Sequence, residues 1–485
     1  MTGSPPLGQS VRALLTNALE LYHDSPATAG QLHHQLSRFE EPLRVAVTGP
    51  WRSGKSTLVN ALMGEQVAPV EVPDGQQVFT WYQDGSAPHA VAYPAGYELP
   101  VSRTADGMSV DVRRWQPAPV NDLVVTWPTR TLRHTTLVDT PAVPDAGVEA
   151  PPTAVADMIL RDVDVVLYLT RDARDTDLHF LQRAQAGLVA RAAPVNLLLV
   201  LSRADELGGG RLDALIAARQ LARRQHRDPR VGSLCLGVVA VSGLVALAGR
   251  VLGEPDFAAL ATLAATPRAE LDGFLLSTDR FIGQQFPAPV AVEARRALLD
   301  RLGIFGVRLA VTLIRTGSDS RAALAAELVR RSGLTDLREA VARCFVDRRE
   351  VLQARSALAA LESILHTDPR PGVERLSAGL EHVLTTSHDL RELRLLAWLR
   401  LHRVGFDGDL AAEARRLVGE NGTGVAARLG VDRPTTAELW RLSADALARW
   451  RELADDPVLR LDQRRAAQVV VRSCEGIQAR LRHRP

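Results

Sequence analysis

The feature that most constrains the fold is a glycine-bearing loop that joins an apolar segment to a helical one. The loop has the spacing Gly49-x4-Gly54-Lys55-Ser56 and follows the apolar run 43–47. Glycines let consecutive backbone N–H groups surround a phosphate, and the helix after the loop points its N-terminus at the same anion. A nucleotide-binding P-loop requires this order of strand, loop and helix. The pattern therefore predicts a three-layer α/β P-loop domain with a mostly parallel sheet.

Each residue type in this loop has a chemical reason. Lys55 would neutralise the β- and γ-phosphate oxygens, and the Ser56 hydroxyl is placed to ligate Mg²⁺. Lys55 is also the only lysine among the 58 lysines and arginines of the chain. A chance match in a glycine-rich loop is the alternative, and a lone lysine at this position argues against it. The predicted phosphate-binding residues are Gly49, Ser53, Gly54, Lys55, Ser56 and Thr57.

Two segments that follow later apolar runs indicate which base is bound. The first reads Ser-Arg-Ala-Asp at 202–205, directly after the apolar run 195–201. A carboxylate at Asp205 can accept hydrogen bonds from guanine N1–H and N2–H₂, a donor pair that adenine lacks. Arg203 can stack along the base plane, and a backbone N–H in the second segment, 242–243, would meet guanine O6. A solvated helix start is the alternative for 202–205 taken alone. The predicted base-binding residues are Ser202, Arg203, Asp205, Ser242 and Gly243.

A third segment, Asp-Thr-Pro-Ala at 139–142, matches the element that approaches Mg²⁺ in such proteins. Asp139 is the predicted metal residue together with Ser56. Ala142 stands where a glycine N–H contacts the γ-phosphate; alanine keeps that N–H, but its Cβ restricts the backbone. The stretch 70–77, where a threonine would complete the metal shell, has no hydroxyl side chain. Candidates there are Asp74 for the metal and Gln76 or Gln77 for a water, with a plain surface loop as the alternative.

Arg52 is a candidate catalytic residue beside Lys55, because it lies inside the loop that surrounds the triphosphate, next to an aromatic Trp51. An arginine there could swing over the β–γ bridge and neutralise charge that develops in the transition state. The alternative is an arginine that points into solvent in an arginine-rich chain.

Composition excludes several other classes of protein. A net charge of +2 argues against a dedicated nucleic-acid binder. The first ten residues lack the basic and apolar regions of a secretory signal, and no window holds the roughly 20 apolar residues that span a bilayer. The three cysteines form neither a disulfide framework nor a metal spacing. These features predict a cytoplasmic protein.

The periodicity of the chain changes twice. Short apolar runs alternate with helical segments from Leu43 to Ala240, whereas the pattern is helical beyond about Leu334. With 485 residues, the chain is expected to form more than one domain. We expect an N-terminal helical segment (1–40), a nucleotide domain (41–335) and an extended helical bundle (336–485) on which the N-terminal helix packs. Predicted strands are 43–47, 78–82, 123–127, 136–138, 165–169, 195–201 and 236–241. Predicted helices include 9–23, 55–63, 211–224, 337–364, 374–402, 409–418 and 436–481, the last broken near Asp456-Pro457.

The sequence resembles the dynamin superfamily, and within it the isoniazid-inducible dynamin-like GTPases of actinobacteria. The segments that carry the resemblance are 41–49 (EPLRVAVTG), 54–62 (GKSTLVNAL), 137–141 (LVDTP), 202–206 (SRADE) and 302–308 (LGIFGVR). The pair Trp51-Arg52 also resembles P-loops of guanylate-binding proteins and atlastins, in which an arginine at this position acts as the finger.

The resemblance implies a GTPase domain joined to a helical neck and trunk, with GTP-dependent membrane remodelling. It implies dimerisation across the nucleotide face, a second dynamin-like partner, and peripheral contact with an anionic membrane at the inner face of the cell membrane. The turn 367–372, which holds Arg370, is the expected contact with lipid, with Arg375 close behind. Ala142 and the missing switch threonine depart from the family pattern, so a GTP-binding subunit with poor hydrolysis stays an alternative. An RNA-linked GTPase is disfavoured because the tail shows amphipathic helices and no basic single-strand-binding module.

Overall fold

The computed structural model describes residues 6–68, 78–93, 96–104, 107–111, 122–143, 162–172, 181–182 and 196–482. Within them lies a large β-sheet, followed along the chain by helices. The strands are β1 (Leu43–Thr48), β2 (Phe79–Asp84), β3 (His89–Tyr93), β4 (Tyr97–Leu99), β5 (Val101–Thr104), β6 (Gly107–Val110), β7 (Asp122–Trp127), β8 (Thr135–Asp139), β9 (Val165–Thr170), β10 (Leu197–Leu201) and β11 (Gly237–Ala240).

The α-helices of the described residues fall before, between and after these strands. They are α1 (Leu7–Leu21), α2 (Pro26–Ser37), α3 (Lys55–Met63), α4 (Ala214–Arg227), α5 (Pro229–Gly232), α6 (Gly243–Val251), α7 (Glu254–Ala265), α8 (Arg268–Leu271), α9 (Thr278–Ile282), α10 (Val292–Arg315), α11 (Arg321–Ser332), α12 (Leu334–Cys344), α13 (Arg349–Thr367), α14 (Val373–Thr386), α15 (His388–Arg400), α16 (Gly408–Leu417), α17 (Val425–Leu429), α18 (Thr436–Asp455) and α19 (Leu461–Arg482). Short 3-10 turns include Ala204–Gly209 and Val346–Arg348.

The main sheet has nine strands in the order β11-β10-β9-β1-β8-β2-β7-β3-β4. Neighbours are parallel from β11 to β8, while β2 is antiparallel to β8 and parallel to β7. The carboxyl ends of β1, β8, β9, β10 and β11 therefore meet at one edge of the sheet. Ligands of open α/β sheets bind outside such an edge, and the P-loop leaves β1 at this point.

Both faces of the central strand are covered, as expected for parallel strands with nearly continuous apolar sequence. Leu43, Val45 and Val47 of β1 belong to a buried core that also contains residues of α3. Ala46 points to a separate buried core on the opposite face. This arrangement confirms the predicted fold class, a three-layer α/β P-loop domain with a mostly parallel sheet and an additional helical bundle.

Every predicted strand has a counterpart within two residues of its predicted ends, as far as the described residues reach. Strands β3 to β6 were not predicted. They are short, and their burial alternates or is incomplete, as in β3, where Ala90 and Ala92 are buried between exposed residues. A sparse apolar signal of this kind does not distinguish an edge strand from a polar loop.

Two predicted helices are divided in the structure. The predicted helix 337–364 breaks after Cys344, because Phe345 is fully buried with non-helical dihedrals (φ −125°, ψ −53°). The predicted stretch 374–402 breaks at Ser387. The predicted helix 9–23 begins two residues earlier than expected: α1 begins at Leu7, and the Ser10 hydroxyl donates back to the Pro6 carbonyl at 3.4 Å.

The N-terminal helix α1 packs against α13 and α14, and its apolar stripe, including Val11 and Leu15, is buried in a core shared with those helices. At its end, the hydroxyl of Tyr22 donates to the carbonyl of Asp368 at 2.7 Å. Across the part of the chain that the structure describes, no helix combines the length and the apolar character needed to cross a bilayer.

Candidate nucleotide-binding site

The P-loop backbone adopts conformations that its glycines make possible. Gly49 has a φ of 148°, and a Cβ there would collide with the carbonyl oxygen of Leu169 on the neighbouring strand. Gly54 has a φ of 90° and is the N-cap of α3. The loop therefore lies tightly against the sheet edge and then turns its chain directly into a helix N-terminus, the arrangement that favours a phosphate group.

Lys55 folds back over its own loop. Its Nζ donates to the carbonyl oxygens of Gly49 and Pro50, both at 3.2 Å. Burial lowers the pKa of Lys55, and the charge of Asp139 opposes that shift. The ammonium group thus lies inside the loop on two acceptors that the oxygens of a bound phosphate would replace.

Ser56 and Asp139 meet where a metal ion is expected. The Ser56 hydroxyl donates to Oδ2 of Asp139 at 2.8 Å. Burial raises the pKa of Asp139 to about 6, against the opposing effects of that hydrogen bond and of Lys55. Its second oxygen, Oδ1, is buried and accepts no hydrogen bond from the described residues. A hydroxyl beside a carboxylate with one unused oxygen is a donor set that suits Mg²⁺.

The segment after Asp139 runs along the P-loop. The Thr140 N–H donates to the carbonyl of Val47 at 3.3 Å, and the Val143 N–H donates to the carbonyl of Gly49 at 3.0 Å. Ala142 lies between these two anchors, so its backbone is held beside the start of the loop. Asp74, Gln76 and Gln77, the candidates from the stretch 70–77 for the metal and for a water, lie outside the described residues.

A cleft of about 180 Å³ opens between the P-loop and the ends of β9, β10 and β11. Apolar side chains of these strands and of α3 form part of its wall, as expected for a surface that receives a base. Its lining residues are Ser53, Gly54, Thr57, Leu58, Leu169, Val200, Ser202, Arg203, Asp205, Glu206, Val241, Gly243 and Leu244.

Asp205 reaches this cleft with its carboxylate unpaired, since no hydrogen bond or ion pair joins it to another of the described side chains. Arg203 has a left-handed backbone (φ 52°), and its guanidinium donates to Glu206 at 2.5 Å. Arg171, the residue after β9, approaches Glu206 at 3.7 Å. Sequence reasoning missed Glu206, although its position three residues after Arg203 is the spacing of a local ion pair.

Of the two predicted residues Ser242 and Gly243, only Gly243 lines the cleft. Ser242 is fully buried, where its hydroxyl accepts from the Val245 N–H at 3.3 Å as the N-cap of α6. Its own N–H donates to the carbonyl of Ser332 at 2.9 Å. Gly243 lines the cleft, and so does Leu244. The structure thus places Gly243 on the cleft, whereas Ser242 is the N-cap of α6.

Arg52 lies on the outer side of the loop. It is exposed and has a φ of 58°, while the neighbouring Trp51 has an exposed fraction of 75%. A positive φ is uncommon outside glycine and costs energy, and such residues concentrate at functional sites. Arg52 is not among the residues that line the base cleft.

The fold and the candidate site together define a protein of the P-loop class, with a cleft at the carboxyl edge of a mainly parallel sheet and a large helical region. No family model matches the chain. Two curated proteins, from the CDC 1551 / Oshkosh and ATCC 25618 / H37Rv strains of Mycobacterium tuberculosis, are both described as isoniazid-induced protein IniC. Each is 36% identical over 482 residues, which cover 97% of this chain and 98% of the relative. The chain belongs to this family of isoniazid-induced, dynamin-like proteins.

Two solved structures are also similar, and both come from work on an oligomerised bacterial dynamin pair that senses and tethers membranes over long range. They are 16% and 14% identical and cover 100% and 99% of this chain, or 76% and 75% of their own. Their TM-scores of 0.30 and 0.29 are too low for the superposition to support an argument.

Proposed function

We propose that this chain binds GTP and GDP with Mg²⁺ and couples GTP hydrolysis to membrane remodelling. One observation carries the nucleotide part of the proposal: a hydroxyl–carboxylate pair and a base cleft with an unpaired carboxylate flank the same P-loop. Ser56 and Asp139 form the pair, and Asp205 lies in the cleft. Family membership supports the second part of the proposal, the coupling of GTP hydrolysis to membrane remodelling.

Different residues bind the phosphates, the metal ion and the base. Lys55 leaves its two loop carbonyls for the β- and γ-phosphate oxygens, while Ser56 and Asp139 hold the metal ion. A Mg²⁺ ion held there would supply positive charge that neutralises negative charge on the phosphates. Asp205 accepts the guanine N1–H and N2–H₂ donors, and Arg203, tethered through Glu206, covers the base. Arg52 reaches the β–γ bridge from the outer side of the loop.

A second candidate function is a GTP-binding subunit that hydrolyses poorly and pairs with an active dynamin-like protein. Ala142 supports it, because a Cβ restricts the backbone that would deliver an N–H to the γ-phosphate. The stretch 70–77 supports it as well, because it supplies no hydroxyl for the metal shell. Turnover of GTP distinguishes the two functions, since both require binding.

The proposal includes self-association across the nucleotide face and a second dynamin-like partner. Trp51 supports the first part, because a tryptophan that is 75% exposed beside the P-loop is the kind of side chain that anchors interfaces. We further propose a cytoplasmic location with peripheral contact to the anionic inner face of the cell membrane. Nucleic acid is not a proposed partner.

Titration calorimetry with GDP, GTP and ATP in the presence of Mg²⁺ tests the nucleotide assignment. We expect both guanine nucleotides to bind, with ATP at least about tenfold weaker, because adenine cannot donate twice to Asp205. Lys55→Ala should abolish binding, and Asp205→Asn should shift preference from guanine towards xanthine nucleotides. Equal affinity of the wild-type protein for ATP and GTP would contradict the proposal. Turnover measured with and without liposomes then separates the hydrolysing protein from the poorly hydrolysing subunit.

A further inference from the structure

The segment 302–308, LGIFGVR, lies in helix α10, far along the chain from the P-loop and from the loop 204–210 that carries Asp205. The structure nevertheless places it against the back of the base cleft. Helix α10 is kinked at Gly303, whose dihedrals (φ 64°, ψ 169°) are not helical. A Cβ at Gly303 would stand 3.2 Å from Cδ2 of Leu244, a residue that lines the cleft.

Five residues further along, Arg308 contacts the loop that carries Asp205. Its Nη2 donates to the carbonyl oxygen of Gly210, at the end of the turn Ala204–Gly209. Arg308 is partly buried, and its Nε is enclosed without a hydrogen-bond partner among the described residues. The guanidinium is therefore held under the loop by this contact.

The loop itself needs such support. Gly208, Gly209 and Gly210 all have positive φ values, of 61°, 75° and 69°. Glycine loses more conformational freedom on folding than any other residue, so three in a row make the loop costly to order. The chain folds back so far that a Cβ on Gly210 would stand 3.3 Å from the backbone oxygen of Asp205. The contact of Arg308 with Gly210 therefore lies next to the backbone of Asp205.

We propose that Arg308 is a positioning residue for base recognition, which holds the 204–210 loop so that the Asp205 carboxylate faces the guanine edge. This inference rests on the proposed function, and Arg308 is not among the residues that line the cleft. A positioning role has a specific consequence: loss of Arg308 weakens contacts to the guanine donors and leaves phosphate contacts intact.

Affinities for GDP and for inosine diphosphate, which lacks the 2-amino group, provide the test. Arg308→Met keeps the apolar length of the side chain and removes the donors. We expect a loss of GDP affinity of at least about tenfold, equivalent to about 1.4 kcal/mol, and a smaller loss for inosine diphosphate. The ratio of the two affinities should therefore fall. Arg315→Met is the matched control, since Arg315 of the same helix donates to the carbonyls of Ala264 and Thr266 at 3.0 and 2.6 Å.

Equal losses for the two nucleotides in Arg308→Met, or none, would overturn the inference. If that variant does not fold, Arg308→Gln decides by the same ratio, because glutamine stays polar but is too short to reach Gly210. Failure of the proposed function has a different signature: the wild-type protein itself would not prefer GDP to adenosine diphosphate.

Discussion

Arg52 combines an exposed guanidinium with a strained backbone inside the loop that would surround the triphosphate. If it neutralises charge in the transition state, Arg52→Ala should leave GDP affinity nearly intact and reduce GTP turnover at least about tenfold. Arg52→Gly relieves the positive φ and also removes the side chain. Turnover is measured by phosphate release at saturating GTP. Equal loss of turnover in both variants would assign the effect to the missing guanidinium and not to the backbone conformation. Unchanged turnover in Arg52→Ala would show that Arg52 has no catalytic role and only points into solvent.

Among single residues, the sequence predicted which ones lie together where motif spacing and strand order determine their positions. Ser56 and Asp139 are 83 positions apart and meet at 2.8 Å, because β1 and β8 are adjacent parallel strands whose ends coincide. Arg308 could not be assigned in this way, since its contact with Gly210 depends on how α10 packs against a loop 98 positions earlier. Ser242 had a clear signal of another kind, because serine before a helix is a preferred N-cap.

Among the helices, a buried polar network joins α15, α17 and α19. Arg428 donates two hydrogen bonds to Glu392, at 2.5 and 2.8 Å, and Ser473 donates a third at 2.6 Å. Burial raises the pKa of Glu392, but hydrogen bonds from His388, Arg428 and Ser473 outweigh it and hold that pKa well below its usual range. The network therefore stabilises the fold while the carboxylate is charged.

Glu392→Gln should lower the stability of the helical region by about 3 kcal/mol or more, because it leaves a buried arginine without its counter-charge. A depressed pKa contributes stability that is present above the pKa of the unfolded glutamate, near 4.3, and is lost as the pH falls towards the folded value. The gap between wild type and variant in urea denaturation should therefore be wide at pH 7 and shrink below about pH 4. Asp445→Asn is the control, since Asp445 meets Arg441 on the surface at 3.4 Å, where such pairs contribute little. An equal effect of both variants would contradict this account.

Helix boundaries show why the elements were only partly predictable. The break between α18 and α19 was visible in advance, because Asp456-Pro457 stops a helix by local chemistry. The break at Phe345 was not, because a phenylalanine fits a helical pattern equally well. Here tertiary packing decides: the side chain is fully buried, and Arg348 donates to the carbonyls of Val418 and Gly419 on another part of the bundle.

For the molecule as a whole, the contacts of Arg370 alter the expectation of which surface meets lipid. Arg370, on the turn 367–372, forms ion pairs with Asp24 and Asp368 and lies over the ring of Tyr22 at 4.8 Å. The guanidinium that was expected to meet anionic headgroups is therefore already bound to Asp368 of its own turn and to the segment that follows α1. Substitution of Arg370 would test the packing of α1 rather than membrane binding, while Arg375 stays exposed.

The turn between α18 and α19 offers an apolar alternative. Val458 is 88% exposed and Leu461 is 56% exposed, next to the first, arginine-containing turn of α19. If this turn enters a lipid surface, Val458→Ser with Leu461→Ser should weaken binding to anionic vesicles at least about tenfold, because each buried aliphatic side chain contributes about 1.5–3 kcal/mol. The matched control is Leu212→Ser with Ile216→Ser, an exposed apolar pair shortly after the loop 204–210 (53% and 59%). Vesicle co-sedimentation at low and high salt measures both. Equal loss in the two double variants, or unchanged binding in the first, would place the lipid contact elsewhere on the molecule.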